Sequence, residues 1–154
     1  MYYTPGQLRD TVGLSKEAFR HWKRVVPGFA NGRGHAPSFS PGDVLASAVL
    51  RRLTDNAGVR IGHLSEIAPA IFQICNTSSW EALQQKSLII DLQERTCVST
   101  NDSALPAGEL VVVCALAPLI KALQFDLLNS TAPVRPKATA LHTRSGRVRK
   151  RSAR

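Results

Sequence analysis

The stretch Tyr3-Thr4-Pro5-Gly6-Gln7-Leu8-Arg9-Asp10-Thr11-Val12-Gly13-Leu14-Ser15-Lys16-Glu17-Ala18-Phe19-Arg20-His21-Trp22 holds two helix starts and one stop. Thr4 is a suitable N-cap, and Pro5 fits the first turn of a helix because its missing amide would be unpaired there anyway. Leu8 and Val12, four apart, share one face. Gly13 supplies the left-handed turn that ends such a helix. Ser15 opens a second helix, which Pro27 stops. Within it Ala18, Phe19, Trp22 and Val26 form one apolar stripe, and Lys16, Glu17, Arg20, Lys23 and Arg24 point away from it.

Two short helices joined by a glycine turn, the second basic on its outer face, have the spacing of a helix-turn-helix. Two packed surface helices would show the same spacing, so the flanking sequence has to decide. Phe29 to Phe39 is rich in Gly and small polar residues and reads as a loop or short hairpin with Arg33 at its tip. Ser40 is the next N-cap, with Pro41 in first place and Asp43 at the capping-box position. That helix runs through Val44, Leu45, Ala48, Val49, Leu50 and Leu53 and ends at Asn56-Ala57-Gly58. Val59, Ile61, Leu64 and Ile67 predict another helix, which Pro69 should kink or end.

Beyond Ser79, an N-cap, Trp80–Lys86 reads as a short helix. Ser87–Leu92 and Thr96–Thr100 read as strands joined in a hairpin, and Glu109–Ala115 as a buried strand because it is valine-rich. Leu116–Leu128 closes this part as a helix with Leu119, Ile120, Leu123, Leu127 and Leu128 on one apolar face. The expected class is therefore α+β: a mainly helical head with a helix-turn-helix over 1–76, a small module of about three strands and a closing helix over 77–130, and a disordered basic tail over 131–154. A module of that size is marginal alone and should pack on the head or on its own copy.

Charge divides the chain the same way. Residues 1–60 carry nine Lys/Arg against four acids, residues 61–130 carry three against seven, and residues 131–154 carry eight with no acid. A basic head and tail attract polyanions through a field that salt screens. The acidic middle points to a different task, such as protein contact. The tail, with Arg147, Arg149, Lys150 and Arg151 at its densest part, reads as an arm that grips phosphates.

Other classes are disfavoured. A composition 44% hydrophobic and 20% charged permits a folded core and excludes a wholly disordered chain. The longest apolar runs, such as Leu110–Leu119, fall short of the roughly 20 residues of a membrane span. The N-terminus has no basic-then-apolar leader pattern. Cys75, Cys97 and Cys114 form no C-x-x-C pair, so they read as structural thiols in a reducing compartment. His21 and His35 have no partner spaced for a shared metal. No nucleophile–base pair or phosphate-cradling glycine loop suggests an enzyme, and no cofactor is implied.

Residues about 2–70 resemble the MerR-type winged helix-turn-helix domain of bacterial transcription regulators. The opening stretch follows that family's small first helix, Gly-hydrophobic-Ser turn and second helix. Phe39-Ser40-Pro41-Gly42-Asp43-Val44 is similar to its aromatic-Ser-x-x-Asp-hydrophobic helix start after the wing. Ala57 to Ile67 resembles its closing turn and short helix. The resemblance implies that Lys16, Glu17 and Arg20 meet base edges or flanking phosphates, with His21 facing the DNA backbone. Arginine suits bidentate contact with guanine, and lysine mostly grips phosphate. Phe19 and Trp22 are expected in the core. The sequence departs from the family where Ala36-Pro37-Ser38 replaces the usual basic residue before Phe39, which leaves phosphate contact to Arg33. Pro69 and Asn76–Ser79 rule out the long dimerising helix of many members directly after the head.

The leading expectation is a cytoplasmic, nucleoid-associated regulator from a bacterium or phage that reads double-stranded DNA. The helix over about 15–26 would occupy the major groove, while Lys23, Arg24, Arg33 and the tail hold phosphates. One small head reads few base pairs, so a dimer or an array on DNA is expected. The alternatives are an excisionase-like protein that bends DNA, and an adaptor that tethers a protein partner of residues 80–130 to nucleic acid.

Overall fold

Three of the first four helix starts are fastened by their own side chains. In α1 (Pro5–Val12), the Thr4 hydroxyl accepts the Gln7 amide at 3.2 Å and the Gln7 side-chain oxygen accepts the Thr4 amide at 2.9 Å. The sequence pattern pointed to Thr4; Gln7 completes a capping box with it. Gly13, at φ +75°, ends α1 in the left-handed conformation that a side chain would disfavour. The Ser15 hydroxyl accepts the Ala18 amide at 3.1 Å and opens α2 (Lys16–Val25). Ser40 and Asp43 cap α3 (Pro41–Asp55) reciprocally, at 3.0 and 2.8 Å.

The computed structural model describes residues 2–29, 38–101 and 111–130, which form a mixed α+β fold. The central element is α3. Val44, Leu45, Ala46, Val49 and Leu50 are all fully buried, because a helix apolar around most of its circumference has to be packed on several sides. A short 3-10 helix, Ile61–Leu64, stands where a full helix from Val59 was expected. Pro69 does not end a helix; it sits in the first turn of α4 (Ala68–Thr77), where its missing amide costs nothing.

α4 lies against the start of α3 at close range. A Cβ on Gly42 would stand 2.6 Å from the carbonyl oxygen of Cys75, so only glycine fits. Asn76 bridges the two helices: its Nδ2 donates to Asp43 at 2.9 Å and its Oδ1 accepts from the Ser40 hydroxyl at 2.5 Å.

After α5, which covers only Trp80–Leu83 rather than reaching Lys86, comes a three-stranded antiparallel sheet in the order β2-β1-β3. β1 (Ser87–Asp91) is central, with Ile90 opposite both Cys97 of β2 (Thr96–Thr100) and Val112 of β3 (Val111–Ala115). Leu88 and Ile90 point inward and are fully buried. The valine run was expected to be the buried strand. It is an edge strand instead, with Val113 43% exposed. Burial follows position in the sheet, and β1, with strands on both sides, holds the centre.

α6 (Leu116–Ser130) follows β3 directly and buries Leu116, Leu119, Ile120 and Leu123. Leu127 is half-buried, but Leu128 is 75% exposed and lies off the expected apolar face. One continuous core of buried side chains runs from Tyr3 through α3 and α4 to Leu123.

Candidate nucleic-acid interface

The outer face of α2 is the densest exposed concentration of basic side chains among the described residues. At 100° per residue, Lys16, Arg20, Arg24, Glu17 and His21 fall within a sector of about 140° of the helix. All five are exposed. The opposite side is anchored by Trp22, buried, with Phe19 and Ala18 half-buried.

That anchoring is aromatic. Phe29 is fully buried, and its ring centroid lies 5.3 Å from Phe19, 5.6 Å from Trp22, 5.8 Å from Phe39 and 6.2 Å from Phe72. Most of these pairs are edge-to-face, the arrangement that ring quadrupoles favour. The sequence reading placed Phe29 only at the mouth of a loop. It is in fact the hub that joins α2, α4 and the strand-like backbone at Phe39. Its fixed place is reinforced by Tyr3, whose amide donates to the Phe39 carbonyl at 2.7 Å and whose carbonyl accepts the Phe39 amide at 3.1 Å.

A second missed residue fixes the turn between α1 and α2. Arg51 of α3 donates from Nη1 to the Gly13 carbonyl at 2.9 Å and pairs through Nε with Asp55. The turn is thereby tied to the central helix. A cation one helical turn from an acid was visible in the sequence, but its reach to Gly13, 38 residues away, was not.

The electrostatics separate the cations into two groups. Arg9 is paired with Asp10, Arg51 with Asp55 and Arg95 with Glu66. Lys16, Arg20 and Arg24 make no ion pair among the described residues. Lys23 departs from expectation: it is half-buried, and its ammonium stands 5.8 Å from the Phe19 ring centroid, a cation–π contact. Glu17 lies in the first turn of α2, where a negative charge also favours the helix dipole. Arg60, exposed, borders a concavity shared with Ala18 and Trp22 and adds a cation at the flank of α2. Its only sequence signal was its place in the third stretch that resembles the MerR-type domain.

Arg33, His35, Arg147, Arg149, Lys150 and Arg151 lie outside the described residues.

The thiols gather on the inner side of the sheet. Burial pushes the Cys75 thiol up to about 12, with Cys97 and Cys114 nearby adding to the effect. Cys97 is likewise pushed up to about 12 by burial and then by Cys114. Cys114 is raised by burial, against an opposing pull from Arg52. Protonated thiols are poor nucleophiles and poor metal ligands. No cluster of three or more His, Cys, Asp or Glu able to hold a metal occurs among the described residues. No described helix is long and apolar enough to cross a membrane.

No family model matches the chain, and no curated protein matches its sequence.

Proposed function

We propose that this chain is a DNA-binding regulator of the winged helix-turn-helix type, with α2 as the reading helix. The observation that carries the proposal is the outer face of α2, where Lys16, Arg20 and Arg24 are exposed and make no ion pair among the described residues, while Arg9, Arg51 and Arg95 are held in ion pairs. Exposed cations without internal partners are available to phosphates and base edges. A ten-residue helix is about 15 Å long and fits a major groove about 12 Å wide. In this reading Arg20 addresses a base edge. Lys16 and Arg24 hold phosphates, and His21 meets the backbone. Arg33 and the basic stretch 131–154 add phosphate contacts in this reading.

The test compares the full chain with Arg20→Ala and Lys16→Ala, on fragments of the DNA upstream of its own coding sequence and on random DNA, across a salt series. Arg20→Ala should lower the preference for one fragment by roughly 5- to 150-fold, the worth of about 1–3 kcal/mol. Lys16→Ala should weaken all fragments alike. If the wild-type chain binds every fragment equally, α2 is not a sequence reader. If it discriminates but Arg20→Ala leaves the preference unchanged, the assignment of Arg20 fails.

A further inference from the structure

Between the end of α3, the start of α6 and the edge strand β3 lies an open slot of about 360 Å³. Leu53 in α3, Ala57 just beyond it, and Pro118 and Leu119 in α6 form its apolar walls, and Val112 to Ala115 line it along the strand. Leu53 and Leu119 belong to the core, so the slot opens onto it. Among the described residues, one charged side chain lines the slot, Arg52, and Asn56 stands one helical turn further along.

Arg52 is exposed and makes no ion pair among the described residues. Its charge reaches the Cys114 thiol on β3, where it opposes the effect of burial. Two acids, Asp55 and Asp126, border the neighbouring recess that Arg52 also lines. Asp55 is paired with Arg51, and neither acid lines the slot. The carbonyls of Arg52 and Leu53, which at a helix end would repel an anion, already accept the amides of Asn56 and Val59 at 2.9 and 3.1 Å. The strand adds backbone groups. The Leu116 amide donates to the Lys86 carbonyl at 3.1 Å, so the alternation of the ladder turns Val112 and Cys114 to β1 and the amides and carbonyls of Val113 and Ala115 to the open edge.

We infer that the slot binds a small apolar carboxylate, its hydrocarbon against Leu53, Ala57 and Leu119 and its carboxylate on Arg52. Ligand sites are typically apolar clefts in which a few polar groups fix the orientation. Here the walls select hydrocarbon, and the sole charge selects an anion. The planar fork of a guanidinium matches the two oxygens of a carboxylate, and the Asn56 amide or an edge amide of β3 can donate beside it. A cationic amphiphile would be repelled by Arg52, and a neutral one would leave it without a partner. The volume is near the lower end of the range for such sites, about 300–1,000 Å³, so the ligand is small. This inference stands on the slot alone and does not rest on the nucleic-acid reading.

The experiment titrates the full chain with butanoate, hexanoate and octanoate by calorimetry, with octan-1-ol and octylammonium as the neutral and cationic counterparts. Amide shifts of the labelled chain locate the site. Arg52→Gln and Ala57→Leu are run beside the wild type, with circular dichroism to check folding; both positions are exposed and tolerate the change. Octanoate should bind saturably and shift the amides of Val112 to Ala115 and Leu119. Each added methylene should tighten binding up to about fourfold. Arg52→Gln should weaken octanoate by about tenfold or more and leave octan-1-ol unchanged, and Ala57→Leu should weaken both by filling the slot. Absence of saturable octanoate binding up to about 10 mM overturns the inference. So does octan-1-ol or octylammonium binding as tightly as octanoate, or octanoate binding that Arg52→Gln leaves intact, because Arg52 is then not the anchor. Shifts confined to residues away from β3 and α6 place the ligand elsewhere and also overturn it.

Discussion

Phe29 meets four aromatic rings within 6.2 Å and is fully buried, so its truncation should be costly. Phe29→Ala is expected to lower stability by about 3–5 kcal/mol, from lost burial plus the cavity left behind. Urea unfolding of the full chain reads this directly, and a loss under about 1 kcal/mol would show that Phe29 is not the hub of the head. The two informative glycines act through different physics. Gly13→Ala strains the backbone at φ +75°, where nothing crowds an added Cβ. Gly42→Ala meets the Cys75 carbonyl and forces α3 and α4 apart. Each should cost about 1–3 kcal/mol. Their thermal unfolding should be separable by context: shortening Asn76 to alanine should relieve part of the crowding at Gly42→Ala and none of the strain at Gly13→Ala. Equal effects in both backgrounds would count against the close-contact account.

Among the elements, the sheet makes the clearest pH prediction. The inward thiol of Cys97 on β2, and that of Cys75 on α4 beside it, hold their protons in the fold to well above the usual thiol value of 9.0, reaching about 12. Below pH 9 both folded and unfolded chains are protonated there, and the thiols add no pH dependence. Between about 9 and 12 the unfolded chain releases protons that the folded chain keeps, so stability falls as pH rises. Denaturant midpoints should drop across that window, and Cys75→Ala with Cys97→Ser should flatten the drop. A midpoint unchanged between pH 8.5 and 10.5, values on the order of the thiol range, would contradict this placement. α2 makes the complementary point: Trp22 is buried in the core while Lys16, Arg20 and Arg24 stand exposed, so the element can hold its shape while its outer face engages a ligand.

The whole molecule carries its formal +9 unevenly, and the prediction at this scale concerns residues 131–154. Their eight bases, counted without any acid, can release counterions when they meet DNA. Removing them should weaken binding to all fragments alike and flatten the salt slope by up to about seven, if each base meets one phosphate. A slope unchanged by the truncation would mean the tail does not touch DNA. The preference between fragments should survive the truncation, because base readout is proposed for α2.

How much of this was legible depended on the range of the forces involved. The caps at Thr4, Ser15, Ser40 and Ser79, the stop at Gly13 and the hairpin strands that begin at Ser87 and Thr96 were readable because each is set by neighbours within a few residues. The basic outer face of α2 was readable for the same reason, since helical period alone assigns faces. Pro69 misled because proline both ends and begins helices, and only the packing of α4 on α3 chose between them. The valine run misled because composition reports affinity for a sheet and not position within it; pairing with β1 on one side made β3 an edge. Arg51 and Asn76 were hidden because their partners lie tens of residues away, and Phe29 because the rings around it come from separate segments, Phe72 of α4 among them. Local chemistry thus determined the helices, their caps and the exposed cations. The burial of Phe29, the tie from Arg51 to the Gly13 turn and the open slot beside β3 were decided only when the chain closed on itself, because each depends on contacts between segments distant in sequence.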